Sequence, residues 1–199
     1  SYPERLPSDP GGELARIARE ILLAYTGHPR VAAFWQPRFE RFARWFGECE
    51  AELRGEATRV AAEVPGKLSI PAPGGAFLLT ARADRIDVTP SGLVITDYKT
   101  GRLPPDTKVN TGQAPQLPLE AAIALAGGFP GLGDARVLAI RYISATGGEP
   151  AGKAHTVKCD DVAGLAESVR AGLQRLVALY DDPETPYAAV RRSGFSYGY

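Results

Sequence analysis

The chain has 199 residues and balances 23 basic against 23 acidic side chains, enough length for one domain with a substantial core. Zero net charge gives no global pull toward nucleic acid, so any such contact must come from a local basic patch or a larger assembly. No apolar run approaches a membrane span, no signal peptide is visible, and two distant cysteines, Cys49 and Cys159, suit a reduced cytoplasmic protein better than a disulfide framework.

In chain order, Ser8-Asp9-Pro10 predicts the start of a helix on which Leu14, Ile17, Ile21 and Tyr25 recur at helical spacing, ended by Gly27. A second helix is expected from about Val31 to Arg54, with Pro37 kinking it or marking a restart. Its aromatic stripe (Phe34, Trp35, Phe39, Phe42, Trp45, Phe46) reads as core, with stacking on exposed bases as the alternative. Arg38, Arg41 and Arg44 are expected on its solvated face or against phosphate. Strands are predicted at 58–64 and 67–70, parted by Pro65-Gly66, with Glu63 near the end of the first. A helix opened by Gln116 should stop at Gly127-Gly128, and the run Val137-Leu138-Ala139-Ile140 predicts a buried strand. Gly147-Gly148 turns into an edge strand near 153–158, on which His155 is read as exposed. Asp160 or Asp161 caps a last helix with Val162, Leu165, Val169, Leu173, Leu176 and Tyr180 along one face.

Between these elements lies Ala76-Phe77 to Gly101, two alternating runs joined by a turn at Pro90-Ser91-Gly92. The first delivers Asp84 and the second Asp97, followed two residues later by Lys99. Period-two geometry puts Asp97 and Lys99 on one face of their strand and Tyr98 on the other, and a hairpin can bring Asp84 across to them. Two neighbouring carboxylates repel unless one is protonated or a cation sits between them. Oxygen ligands favour a hard ion such as Mg²⁺ or Mn²⁺, and an ammonium beside such an ion suits phosphodiester hydrolysis. An Asp-x-Lys standing alone reads instead as a salt-bridged surface hairpin.

The segments Ala81-Arg82-Ala83-Asp84-Arg85-Ile86-Asp87, Ile95-Thr96-Asp97-Tyr98-Lys99-Thr100-Gly101 and Ala114-Pro115-Gln116-Leu117-Pro118-Leu119-Glu120 occur in that order. Together they resemble the three motifs of the RecB-like branch of the PD-(D/E)XK nuclease superfamily. Phe34-Trp35-Gln36-Pro37-Arg38-Phe39-Glu40-Arg41, Gly127-Gly128-Phe129 and Thr185-Pro186-Tyr187 extend the likeness over most of the chain, to the carboxy-terminal nuclease domains of alphaproteobacterial AddB-type repair proteins. The resemblance implies an α/β restriction-endonuclease-like core, αβββαβ, with a mixed sheet flanked by helices, and residues 1–199 as one such domain. It implies Asp84, Asp97 and the Tyr98 carbonyl as metal ligands, Lys99 as the group that orients or activates water, and Gln116 as a contact to phosphate or to a ligating carboxylate. Where relatives often carry a tyrosine, four residues after the glutamine, this chain has Glu120.

Further expectations follow from the same likeness. Glu63 is a possible accessory residue at the edge of the site, and Arg102 and Lys108, in the breaker-rich loop after Lys99, are candidates for DNA backbone contact. The expected cofactor is Mg²⁺ or Mn²⁺. Two cysteines cannot supply the four-thiolate ligand set of an iron–sulfur cluster, so none is expected. DNA and an AddA-like helicase–nuclease subunit are the implied partners, in double-strand break processing. Family members also use a histidine on an upstream helix. His28, in the helix-stop signal Thr26-Gly27-His28-Pro29, does not match it, and with no methionine in the sequence the chain is expected to be a processed or excised piece of a longer one. The competing reading is a DNA-binding or scaffolding module that keeps the motifs but does not cleave.

Overall fold

The computed structural model describes residues 6–23, 29–133 and 135–187. Two helices come first, α1 (Pro10–Leu23) and α2 (Pro29–Arg54). Asp9 caps α1 by accepting from the Gly12 amide at 2.9 Å. Pro37 lies inside α2 without ending it. Three strands follow: β1 (Arg59–Ile70), β2 (Phe77–Thr89) and β3 (Gly92–Lys99). Then come α3 (Asp106–Asn110), α4 (Gln116–Leu125), β4 (Val137–Ser144), β5 (Lys153–Thr156) and α5 (Val162–Tyr180).

The strands form one mixed sheet in the order β1-β2-β3-β4-β5. Only β3 and β4 run parallel; the other neighbours are antiparallel. A parallel pair needs a long crossover, and the segment through α3 and α4 supplies it. The sequence QLPLEAAIAL is apolar nearly all round, so α4 is buried on several sides, between the sheet and α5. Ile86, Ile95, Leu117, Ile123 and Ile140 form the core on that face. The opposite face is covered by α2, whose Phe42 and Phe46 pack with Ile143, Trp45 and Tyr98. This is the helix-flanked mixed sheet expected of the αβββαβ core.

Several local expectations need correction. The strands expected at 58–64 and 67–70 are one strand, because Pro65 and Gly66 lie within β1 and pair with Arg82 and Ala81. Proline is tolerated there since β1 is an edge strand. Gly66 is needed for space: a Cβ would stand 2.4 Å from Cε1 of Phe129. The loop after Lys99 contains the short helix α3. The aromatic stripe of α2 is core only in part, since Phe34 and Trp35 are exposed, as are Ile17 and Ile21 on α1. Arg38 and Arg41 turn to the β4–β5 loop, donating to the carbonyls of Thr146 (3.4 Å) and Gly147 (2.8 Å). Tyr25 and His28 lie outside the described residues.

One irregularity decides where Asp84 points. Ala83 and Ile86 both belong to the core on the α4 face, which strict alternation forbids. The pleat therefore changes phase between them. The same change occurs on β1 at Glu63, whose φ is 53°, an uncommon conformation for a residue other than glycine. Pairing is kept on both sides, Ala62 with Arg85 and Val64 with Ala83.

Candidate active site

After the phase change, β2 alternates anew: Ile86 packs on the α4 face, while Arg85 and Asp87 point to α2. Asp84 accordingly joins the α4 face. On β3, Leu93 and Ile95 belong to that face too, so Asp97 and Lys99 follow them at period two. Strand ends thus bring these side chains to the amino-terminal end of α4, where Gln116 begins the helix.

The side chains interlock. Asp84 Oδ2 accepts from the Tyr98 amide at 2.9 Å, a bond that ties β2 to β3. Lys99 Nζ donates to Asp97 Oδ1 at 2.9 Å and to Gln116 Oε1 at 2.8 Å. Gln116 Nε2 donates to Asp97 Oδ1 at 2.6 Å and to Glu120 Oε1 at 3.2 Å. Asp97 Oδ2 is also 2.9 Å from Lys99 Nζ, in ion-pair range but off the line of a hydrogen bond. Asp97 is 2 % exposed and Glu120 3 %.

Burial pushes the Asp97 carboxyl above its ordinary range, against the pull of Lys99 and with the nearby Asp84 charge adding to the rise. Burial likewise pushes Glu120 up to about 7, opposed by the Gln116 hydrogen bond and reinforced by Asp97 and Asp84. Both aspartates therefore act on Glu120 from the same side of the sheet. Glu120 is the member that sequence reasoning left without a role. Its signal was present: a lone acid in an apolar helix, four residues after Gln116 and hence on the same helical face.

Three carboxylates face one ammonium in this cluster, and Glu120 Oε2 is buried without a hydrogen-bond partner. An all-oxygen set with surplus negative charge fits a hard divalent cation. Among the described residues, however, no group of three or more His, Cys, Asp or Glu side chains is arranged to hold a metal ion alone. Any ion would draw its remaining ligands from backbone carbonyls, water or substrate, as Mg²⁺ commonly does.

A model of the PD-(D/E)XK nuclease superfamily matches residues 4–192. The chain belongs to the PD-(D/E)XK nuclease superfamily. Nucleases of this superfamily generally use divalent metals such as Mg²⁺. The chain is also similar to uncharacterized proteins of Rickettsia. It is 33% identical to one from Rickettsia typhi over 122 residues, covering 61% of this chain and 14% of that protein. It is 30% identical to one from Rickettsia bellii over 130 residues, covering 65% and 16%. The match thus spans a small part of these relatives' length. The crystal structure of SSO0001 aligns with 82% of this chain and 70% of its own, at 16% identity and a TM-score of 0.36.

The Tyr98 ring turns to the α2 face, where its hydroxyl accepts from Arg85 at 3.3 Å. Glu63 is exposed, at the β1 position across from Asp84, and its carbonyl accepts from Arg82 at 3.5 Å. Arg102 is exposed in the segment leaving Lys99, and Lys108 is exposed on α3. His155 is half-buried on β5, its Nε2 2.7 Å from Asp106 Oδ1, so it anchors α3 to the sheet. Cys49 and Cys159 are free thiols. No helix among the described residues is long and apolar enough to cross a membrane.

Proposed function

We propose that this chain is a Mg²⁺-dependent deoxyribonuclease domain, an exonuclease that hydrolyses DNA phosphodiester bonds. The observation that carries the reading is the convergence of Lys99 and Gln116 on Asp97 Oδ1, at 2.9 and 2.6 Å, with Asp84 seated beside them on the Tyr98 amide. Asp84, Asp97 and the Tyr98 carbonyl would hold the ion. Bound there, Mg²⁺ would polarise a phosphoryl oxygen and acidify water.

The protein's own groups do the rest. Lys99, gripped by Asp97 and Gln116, keeps its ammonium at the cluster, where it orients the attacking water or steadies charge building on phosphate. Gln116 offers its oxygen to Lys99 and its nitrogen to Asp97 and Glu120, which fixes the amide's orientation. Glu63 is an accessory contact at the rim. Arg102 and Lys108 meet DNA phosphates and position the substrate without reading its sequence.

In its parent protein the domain serves an AddB-type subunit that works with an AddA-like helicase–nuclease on double-strand breaks. The motif wording supports this, and the small share of each relative that is matched suits a domain carried by a longer chain.

The test is cleavage of linear DNA with Mg²⁺ or Mn²⁺ by wild type and Asp97→Ala, with thermal melting as the control for folding. The variant should lose metal-dependent cleavage and keep its cooperative melt. Full activity in the variant, with metal still required, would defeat the assignment. DNA binding by wild type without cleavage would leave the scaffolding module instead.

A further inference from the structure

Behind the cluster, on the α2 face of the sheet, lies a second group of charges that the reaction does not touch. Arg85 is fully buried, as is Glu50 on α2, and Asp87 is 1 % exposed. Arg85 Nε is shared between the two Asp87 oxygens at 2.8 and 3.1 Å. Its Nη1 donates to Glu50 Oε2 at 2.8 Å and to the Tyr98 hydroxyl at 3.3 Å. Glu50 Oε1 is held in turn by Arg54 at 2.8 Å. One guanidinium thereby joins α2, β2 and β3 at a point.

Such a group is weak evidence of a stabilising role. Removing buried ions from water is costly, and well-packed apolar residues of similar volume often do as well or better. What it supplies is fixed geometry, because a guanidinium fork held by several partners cannot rotate. Its place in the sequence shows which geometry is fixed. Arg85 follows Asp84, and Tyr98 lies between Asp97 and Lys99. Residues of the cluster on one face therefore interleave with residues of the network on the other. Tyr98 belongs to both: its hydroxyl accepts from Arg85, and its amide holds Asp84.

We propose that Arg85, with Glu50 and Asp87, is a positioning residue for the nuclease centre, acting through Tyr98 to hold Asp84 and Asp97 in register across β2 and β3. This rests on the metal-dependent nuclease reading above. Helix α2 then becomes part of the site's support, through Glu50.

The test uses Tyr98→Phe, which removes one hydroxyl and keeps the ring, beside Arg85→Lys, which keeps the charge and loses the fork. Hydrogen exchange at the residue 98 amide is followed by NMR without metal, and Mg²⁺ binding by calorimetry. In Tyr98→Phe the amide should exchange about fivefold faster, as suits loss of one hydrogen bond's support. Its Mg²⁺ affinity should fall about tenfold, the usual scale for a group that orients a ligand. Arg85→Lys should show the larger change in both. Wild-type exchange and wild-type Mg²⁺ affinity in Tyr98→Phe would overturn the proposal and leave the network a brace of the core, even if Arg85→Lys failed to fold. If wild type binds no Mg²⁺ and does not cleave, the nuclease reading fails, and amide exchange alone decides the coupling.

Discussion

Glu120→Gln exchanges a buried acid for an amide of the same shape and isolates the electrostatics of the cluster. Burial, with the Asp97 and Asp84 charges adding to it, lifts this carboxyl from 4.5 to about 7. The folded state thus holds a proton that the unfolded chain has released, throughout the interval between those values. Wild-type stability falls as pH rises through that window, and the loss is complete above about 7. At roughly 1.36 kcal/mol per unit, the ionised Glu120 costs the fold about 3 kcal/mol. The glutamine variant carries no such penalty. Its stability relative to wild type should therefore grow by about 3 kcal/mol between pH 4.5 and pH 8. Shifts at Asp87 and Asp97 occur in both proteins and largely cancel in the difference. Urea unfolding at the two pH values, with a metal chelator present and tryptophan fluorescence as the probe, measures it. A difference that is constant with pH, or that shrinks as pH rises, would refute the placement of Glu120 in a dry, anionic pocket.

Two other substitutions test the fold around the site. Gly66→Ala places a methyl 2.4 Å from Phe129 Cε1 and 2.9 Å from Ile123 Cγ2, so chemical denaturation should show a loss of about 1–3 kcal/mol. Asp106→Asn weakens the tie from α3 to His155 and to the Lys158 amide. Although burial alone would raise it, these partners hold the Asp106 carboxyl below its ordinary range. Its contribution, no more than about 1 kcal/mol, should be present at pH 7 and disappear as acid protonates Asp106 below that range. Melting temperatures of variant and wild type that converge in acid would agree with this; a gap that widens would not.

The residues Asp97 and Lys99 were legible in the sequence because strand alternation is a local property, and Gln116 because it opens a helix. Asp84 was legible as a candidate but not in its facing. The change of pleat phase, matched on the neighbouring strand by the positive φ of Glu63, shows on β2 only as a shift of the apolar residues from odd positions (Leu79, Ala81, Ala83) to even ones (Ile86, Val88), which a single alternating run passes over. Glu120 was visible as a residue and missed as a member, since its carboxyl matters only once α4 is laid against the sheet. The Arg85 network was beyond reach for a similar reason: Glu50 comes 35 positions earlier, on a helix whose docking face had to be known. Arg38 looked like a solvent-facing cation because its partner is a carbonyl of a loop more than a hundred positions away; Arg41 bonds the same loop and is exposed as expected.

The edge strand β1 has a bearing on how this molecule keeps company. A sheet margin with a full ladder of free amides and carbonyls recruits strands from other chains. Here Pro65 removes one amide from the ladder, and the left-handed Glu63 two positions earlier bends the backbone out of line. The opposite margin, β5, is only four residues long. Neither border offers a stranger a straight run to zip onto, so crowding at high concentration should not seed fibrils through this sheet.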